Sequence, residues 1–428
     1  MEIISRLSYL KRKYLAGCSF YLFVVFHFPT LEAATIADAT ENIPIGSSSF
    51  IMPFMGHDIT VETFRPSTYV DQPLLIVMPG VVRSATNARN DAIGLASKCA
   101  CLVAVPHLST EHFPTAADYD HGGVFPNDAY DPVTGALRQA TQPNPQDQWS
   151  LNVVLSVLHH IRTKESNVNL KYYLFGDGAG GQFINAFALF LFPLLPTPEQ
   201  PVRMVIANLG VATFPGYPIM KEDAVHVDRD ECYTGPNYQL TTRCEVEQGY
   251  PDYCCTTEAH INRDYDYSHD HDIFEDKHRF RTTSRRQLPY PFGLGNIVPL
   301  PNLEQYLDAP LTFFMGERDV NVYGGINPKC EVIFPIDHGP FDLIEGPFRL
   351  FKNLNCYLTG HVLALRLEKI CCWKALVAFD CAHNAAAMLS AENTAQAIFG
   401  DKTCEFISNR HYLRQYVVPG AKPLPSIQ

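Results

Sequence analysis

Four separated stretches carry residue types that could cooperate in nucleophilic acyl chemistry. The first, YLFGDGAGGQF at Tyr173–Phe183, runs from a short apolar segment into a glycine-dense turn and out into an apolar, helix-compatible segment. That layout suits a sharp strand-to-helix bend whose tip presents an attacking side chain. The residue at the tip is Gly178, flanked by Gly176 and Gly180, with Asp177 before it and Ala179 after it. The second stretch, LTFFMGERD at Leu311–Asp319, reads as a buried strand, a glycine and a carboxylate, placing Asp319 where an acid would orient a histidine. The third, FDCAHNAAAML at Phe379–Leu389, puts His383 on a loop after another apolar run. Bend, acid and histidine follow one another in the chain order of one kind of catalytic triad. The fourth, MPGVVRSATNARND at Met78–Asp91, follows a buried strand, and its Val81 N–H, with the amide of Ala179, is placed to bind an oxyanion. Arg83 and Asn87 in the same loop either bind substrate or pin the loop.

Glycine has no side chain, so covalent catalysis through position 178 is excluded. The backbone angle at such a tip costs an ordinary residue ~1–3 kcal/mol, whereas glycine adopts it without Cβ strain. The turn therefore survives the loss of the attacking group. Asp177 is the alternative nucleophile, but it would shift the frame by one and put Phe175 where a small residue is needed. The segment GDGAGG matches neither the Gly-x-Gly-x-x-Gly nor the P-loop spacing, so a phosphate cradle is disfavoured. SHDHDIFEDKH at Ser268–His278 offers His269, Asp270, His271, Asp272, Glu275 and His278. Alternate residues of an extended chain face opposite ways and no second cluster completes a ligand set, so a solvated charged loop is the simpler reading. No metal or cofactor is expected.

The elements that must position these residues are legible as apolar runs. Ile59–Phe64 alternates like a strand, while Leu74–Met78, Cys101–Val105, Tyr172–Phe175, Met204–Leu209 and Leu311–Met315 are short runs suited to strands buried on both faces. Ala92–Ser97 and Gln148–Ile161 suit helices. Strands alternating with helices predict an α/β protein with a mostly parallel sheet covered on both sides. The expected organisation is a secretory signal over about 1–37, an N-terminal arm over 38–58 and the core over 59–217 and 288–418. A polar Cys/His/Tyr-rich insertion over 218–287 interrupts the core, and an irregular tail covers 419–428.

The signal is read from Lys11, Arg12 and Lys13, the apolar run Leu15–Phe28, and small residues at Ala33, Ala34 and Ala37. That run falls short of the ~20 residues needed to span a bilayer, so no stable membrane span is expected and the chain is assigned to an extracytoplasmic space. Removing the signal takes Cys18 from the 13 cysteines and leaves an even number, which an exported chain can oxidise. Cys232, Cys244, Cys254 and Cys255 cluster in the insertion with their pairing open, and Cys99 and Cys101 read as buried thiols. A net charge of -12 gives no electrostatic support to a nucleic-acid partner.

Taken in order, PGVVRSATNARND, HFPTAADYDHGG, YLFGDGAGGQF, ANLGVATFPG, LPYPFGLG, MGERD and CAHNAAAM resemble α/β hydrolases of the polyhydroxybutyrate-depolymerase and esterase groups, from about Phe64 to Phe399 apart from the insertion. The resemblance implies an α/β-hydrolase fold with Asp319 and His383 as acid and histidine. It also implies an ester, acyl or polymer ligand. Two departures sit side by side: the family's Gly-His-Ser-Ala-Gly reads Gly-Asp-Gly-Ala-Gly, with Asp177 for histidine and Gly178 for the attacking serine. A pseudohydrolase that keeps a residual pocket is the expectation, with the insertion as a surface for ligand or protein recognition. An active hydrolase using Asp177 or a water activated by His383 is the alternative.

Overall fold

A computed structural model describes residues 42–70, 73–132, 134–215, 288–319, 349–367 and 369–400. The expected signal, the insertion with its cysteines and His269–His278 cluster, and the tail lie outside these residues.

Among the described residues, eight strands form one sheet in the order β1-β2-β4-β3-β5-β6-β7-β8. β1 (Gly46–Phe54) and β2 (His57–Arg65) make an antiparallel hairpin, and β2 runs antiparallel to β4 (Leu102–Pro106). The remaining strands, β3 (Leu74–Met78), β5 (Tyr172–Asp177), β6 (Arg203–Ala207), β7 (Leu311–Gly316) and β8 (Lys374–Ala378), are parallel to β4 and to one another.

The continuous apolar runs follow from burial on two sides. Leu74, Ile76 and Met78 face one core together with Leu174, Met204, Ile206 and Phe313. Leu75 and Val77 face the other with Val103, Val105, Phe175, Val205 and Phe314. The first face is covered by α2 (Val153–Lys164), through Val154, Val157, Leu158 and Ile161, and by α3 (Ala179–Ala186), through Phe183 and Ile184. The second is covered by α1 (Ala85–Cys99) and by two short helices, Ala385–Ser390 and Thr394–Phe399. Burying one Leu, Ile, Val or Phe side chain contributes roughly 1.5–3 kcal/mol before conformational entropy is subtracted.

Within the span 38–58 read as an arm, the nine residues Gly46–Phe54 form strand β1, paired with β2. β1 escaped the sequence reading because it is an edge strand: its residues alternate between half-buried and exposed, and only Met52 and Phe54 are buried. Its turn is also unusual, with Met55 at φ 51° and Gly56 at φ 79°. A hairpin turn with two positive φ values normally announces itself through Asn-Gly or Asp-Gly. Glu165 ties this edge down, accepting from the Ile43 N–H and from Arg65 Nη1, each at 2.9 Å.

Among the described cysteines, Cys99, Cys101, Cys371 and Cys381 are free thiols. No described helix is long and apolar enough to cross a membrane, and no described group of three or more His, Cys, Asp and Glu is arranged to hold a metal ion.

Candidate active site

The strand order reverses at β3, which has β4 on one side and β5 on the other. In an open parallel sheet such a switch opens a crevice at the carboxyl ends of the strands. The register brings those ends level: Met78 pairs with Gly176, Asp177 with Ala207, and Gly316 with Ala378. The loops that follow β3, β5, β6, β7 and β8 therefore start along one edge, and they carry Val81, Gly178, Asn208, Asp319 and His383.

The bend is dictated by close approach. A Cβ at Gly176 would lie 2.3 Å from the Gly180 carbonyl, and one at Gly180 would lie 2.1 Å from the Met78 carbonyl oxygen, so only glycine fits at either place. Gly178 sits between them at φ 55° and ψ -115°, an angle pair avoided by residues with a side chain. Its N–H donates to the Ala207 carbonyl at 3.0 Å, and its own carbonyl accepts from the Gln182 N–H at 3.0 Å as the first turn of α3 begins. A Cβ built at Gly178 would stand 3.2 Å from Cε1 and 3.3 Å from Nε2 of His383.

His383 reaches this position from the loop after β8, with about a third of its side chain exposed. Its Nδ1 donates to Asp319 Oδ2 at 3.3 Å. Asp319 is buried, and its other carboxylate oxygen lies 3.4 Å from Arg349 Nη1 at the start of the helix Arg349–Arg366. The acid and histidine loops are packed backbone to backbone, with the Arg318 N–H donating to the Cys381 carbonyl at 2.8 Å. A Cβ at Gly316 would come within 2.6 Å of that same carbonyl oxygen. An acid thus holds one ring nitrogen while the other faces the tip of the bend.

On the opposite side, the Gly80 Cβ position is 3.5 Å from the Asp177 carbonyl oxygen, which places the Met78–Asp91 loop over the bend. The Tyr119 hydroxyl donates to the Pro79 carbonyl at 2.6 Å, and the Arg83 guanidinium stacks 4.5 Å above the Tyr119 ring. Arg83 also donates to the carbonyls of Phe113 and Thr115. Its side chain is committed to pinning the loop. Asn87 is exposed on α1, where its backbone N–H is capped by the Ser84 hydroxyl at 3.3 Å. Val81 is 75% exposed at the loop tip, and Ala179 supplies the first amide of α3.

Asp177 is buried, and its Oδ1 accepts from Asn208 Nδ2 at 3.1 Å. Sequence reasoning passed over Asn208, a knot between three loops. Beyond its bond to Asp177 it donates to the Ala382 carbonyl at 3.3 Å and accepts from the Gly316 N–H at 2.8 Å. It does so at φ 46°, a conformation asparagine tolerates better than most residues. An asparagine directly after the strand run Arg203–Ala207 could have signalled a left-handed turn, but nothing in the sequence pointed to its partners.

Burial pushes the Asp177 carboxyl up to about 6, only partly opposed by His383 and by the Asn208 hydrogen bond. A carboxyl raised on folding holds its proton more tightly in the native state. The cost is absent below about pH 4, where folded and unfolded chains are both protonated, grows as pH rises to about 6, and is complete above it. That cost amounts to ~2–3 kcal/mol. Asp177→Asn keeps an oxygen for Asn208 and removes the titration. The variant should be more stable than wild type in denaturant melts at pH 8, and the advantage should vanish near pH 4.

This sheet, with its crossover helices and its row of loops at the carboxyl edge, defines an α/β-hydrolase-fold protein. Two solved structures share the architecture at the level of whole chains. Poly(aspartic acid) hydrolase-1 from Sphingomonas sp. KT-1 matches over 81% of this chain and 96% of its own, at 20% identity and a TM-score of 0.53. The poly(3-hydroxybutyrate) depolymerase LpqC from Bordetella parapertussis matches over 82% and 90%, at 20% identity and a TM-score of 0.54. No protein-family model matches the sequence, and no curated protein does.

Proposed function

We propose that the chain is a secreted esterase- or depolymerase-like pseudohydrolase that binds an ester, acyl or polymer ligand without forming a covalent intermediate. The observation that carries the reading is the 3.3 Å separation between the Cβ position of Gly178 and Nε2 of His383. An imidazole oriented by Asp319 faces the place from which an alcohol would attack, and that place holds only hydrogen. On this reading Asp319 and His383 are a vestigial acid and base, and the Val81 and Ala179 amides are a residual oxyanion site. Export rests on the leader over about 1–37, and recognition of a ligand or partner is assigned to the insertion over 218–287.

The partly exposed imidazole supports a second reading, in which His383 activates a water in the space beside Gly178. Asp177 is a weaker nucleophile candidate, because its carboxylate is buried against Asn208. Incubation with a fluorophosphonate probe and short-chain aryl esters separates the readings. The pseudohydrolase should show no labelling and no turnover above its His383→Ala variant. Turnover lost in His383→Ala but kept in Asp177→Ala would establish the water route instead; turnover lost in Asp177→Ala would establish the carboxylate.

A further inference from the structure

The opposite edge of the sheet carries a second concave surface. A cavity of about 530 Å³ opens at the amino-terminal ends of β5 to β8, bordered by Lys171, Arg203, Leu311 and Lys374. This is within the range of small-molecule sites, roughly 300–1,000 Å³. Lys171 and Gly178 stand at opposite ends of β5, so at ~3.3 Å per residue the cavity is roughly 20 Å from the bend. It belongs to a different surface from the crevice above.

The charge of this cavity is opposite to that of the chain. Overall the protein carries -12, yet among the described residues the lining holds Arg162, Lys171, Arg203 and Lys374 against a single carboxylate, Asp308. Two of these cations are uncompensated among the described residues. Arg162 donates only to neutral carbonyls, those of Leu170 at 3.1 Å and Pro198 at 3.0 Å, which fix the guanidinium in place without cancelling its charge. Lys171 is exposed, with no carboxylate or carbonyl partner for its ammonium. The rest of the wall is mostly apolar, with Tyr172, Phe192, Pro198, Pro201, Pro310 and Leu311 contributing rings and aliphatic carbon. Cations fixed at the rim of an apolar recess are complementary to an anionic head on an apolar tail.

We propose that this cavity is a binding site for an anion-headed amphiphile, with Arg162 and Lys171 receiving a carboxylate or phosphate head and the proline- and aromatic-lined wall receiving the tail. The site is independent of whether Gly178 leaves the other edge inert. The test is isothermal titration calorimetry on the full chain with octanoate, octyl phosphate and neutral octanol. At least one anion should bind one-to-one with a Kd below about 1 mM, and the tighter of the two identifies the head. Octanol should bind at least about tenfold more weakly, and added salt should weaken anion binding. Lys171→Glu, at an exposed position, should reduce anion affinity about tenfold by exchanging attraction for repulsion, while Gly178→Ser leaves it unchanged. No heat from either anion up to ~10 mM would overturn the proposal. Equal binding of octanol, or unaltered anion affinity in a folded Lys171→Glu variant, would overturn it as well.

Discussion

Gly178→Ser is expected to gain fluorophosphonate labelling and aryl-esterase turnover, rising ~10²–10³-fold above wild type. Loss of the serine from an intact triad lowers kcat by roughly 10⁶-fold, so the expected gain is deliberately smaller than full restoration. The reason is the imidazole. The serine Cβ would arrive 3.2 Å from Cε1 and 3.3 Å from Nε2 of His383, tighter than ordinary packing, so the ring must retreat by a few tenths of an ångström. It is able to do so, because its side chain is about a third exposed and its bond to Asp319 is already 3.3 Å long. The variant should also melt earlier, by about 1–3 kcal/mol of stability, since a side chain at φ 55° is strained. Adding His383→Ala to it should abolish the new turnover. A folded Gly178→Ser protein that takes no label would show that acid and imidazole are not aligned for attack.

Asn208→Ala should be the most destabilising substitution at the site, costing about 3–5 kcal/mol in denaturant unfolding. The asparagine is buried, and its amide serves Asp177, Ala382 and Gly316 together. Truncation leaves the Gly316 N–H and the Asp177 carboxylate without that partner in a water-poor interior, and each orphaned group costs ~1–3 kcal/mol, more when charged. Alanine at φ 46° adds backbone strain. Asn208→Gly removes only that last part, so it should be less destabilised than Asn208→Ala, by about 1 kcal/mol. A loss below ~1 kcal/mol for Asn208→Ala would mean that the three loops hold one another without it.

How far the sequence disclosed this arrangement depended on what each element packs against. β3, β4, β5, β6 and β7 were legible because both of their faces are buried, which writes them as unbroken apolar runs such as LLIVM and RMVIA. The loop contents were legible because Gly176, Gly180 and Gly316 are needed for backbone contact, and glycines at strand ends stand out. α1 was expected only over Ala92–Ser97 but begins at Ala85, because its first turn is built of small and polar residues whose helical commitment comes from the Ser84 cap. β1 was hidden by its half-exposed edge position. Asn208 and Arg349 were hidden for another reason. Each acts on residues more than twenty positions away, Arg349 on Asp319 and Asn208 on Asp177, Gly316 and Ala382, and no local spacing encodes such partners. The basic cavity combines residues from four separate stretches, which only the strand register assembles.

The tight seating of Gly176 against Gly180, and of Gly180 against Met78, has an implication for how such a chain can change over time. The curvature of the backbone there is enforced from either side, so it owes nothing to the residue type at the central position. A hydroxymethyl group could be shed from that point without leaving a void in the interior or loosening the sheet. On the proposed reading, activity and foldedness are uncoupled at this one position, and selection on folding alone would not retain a serine there.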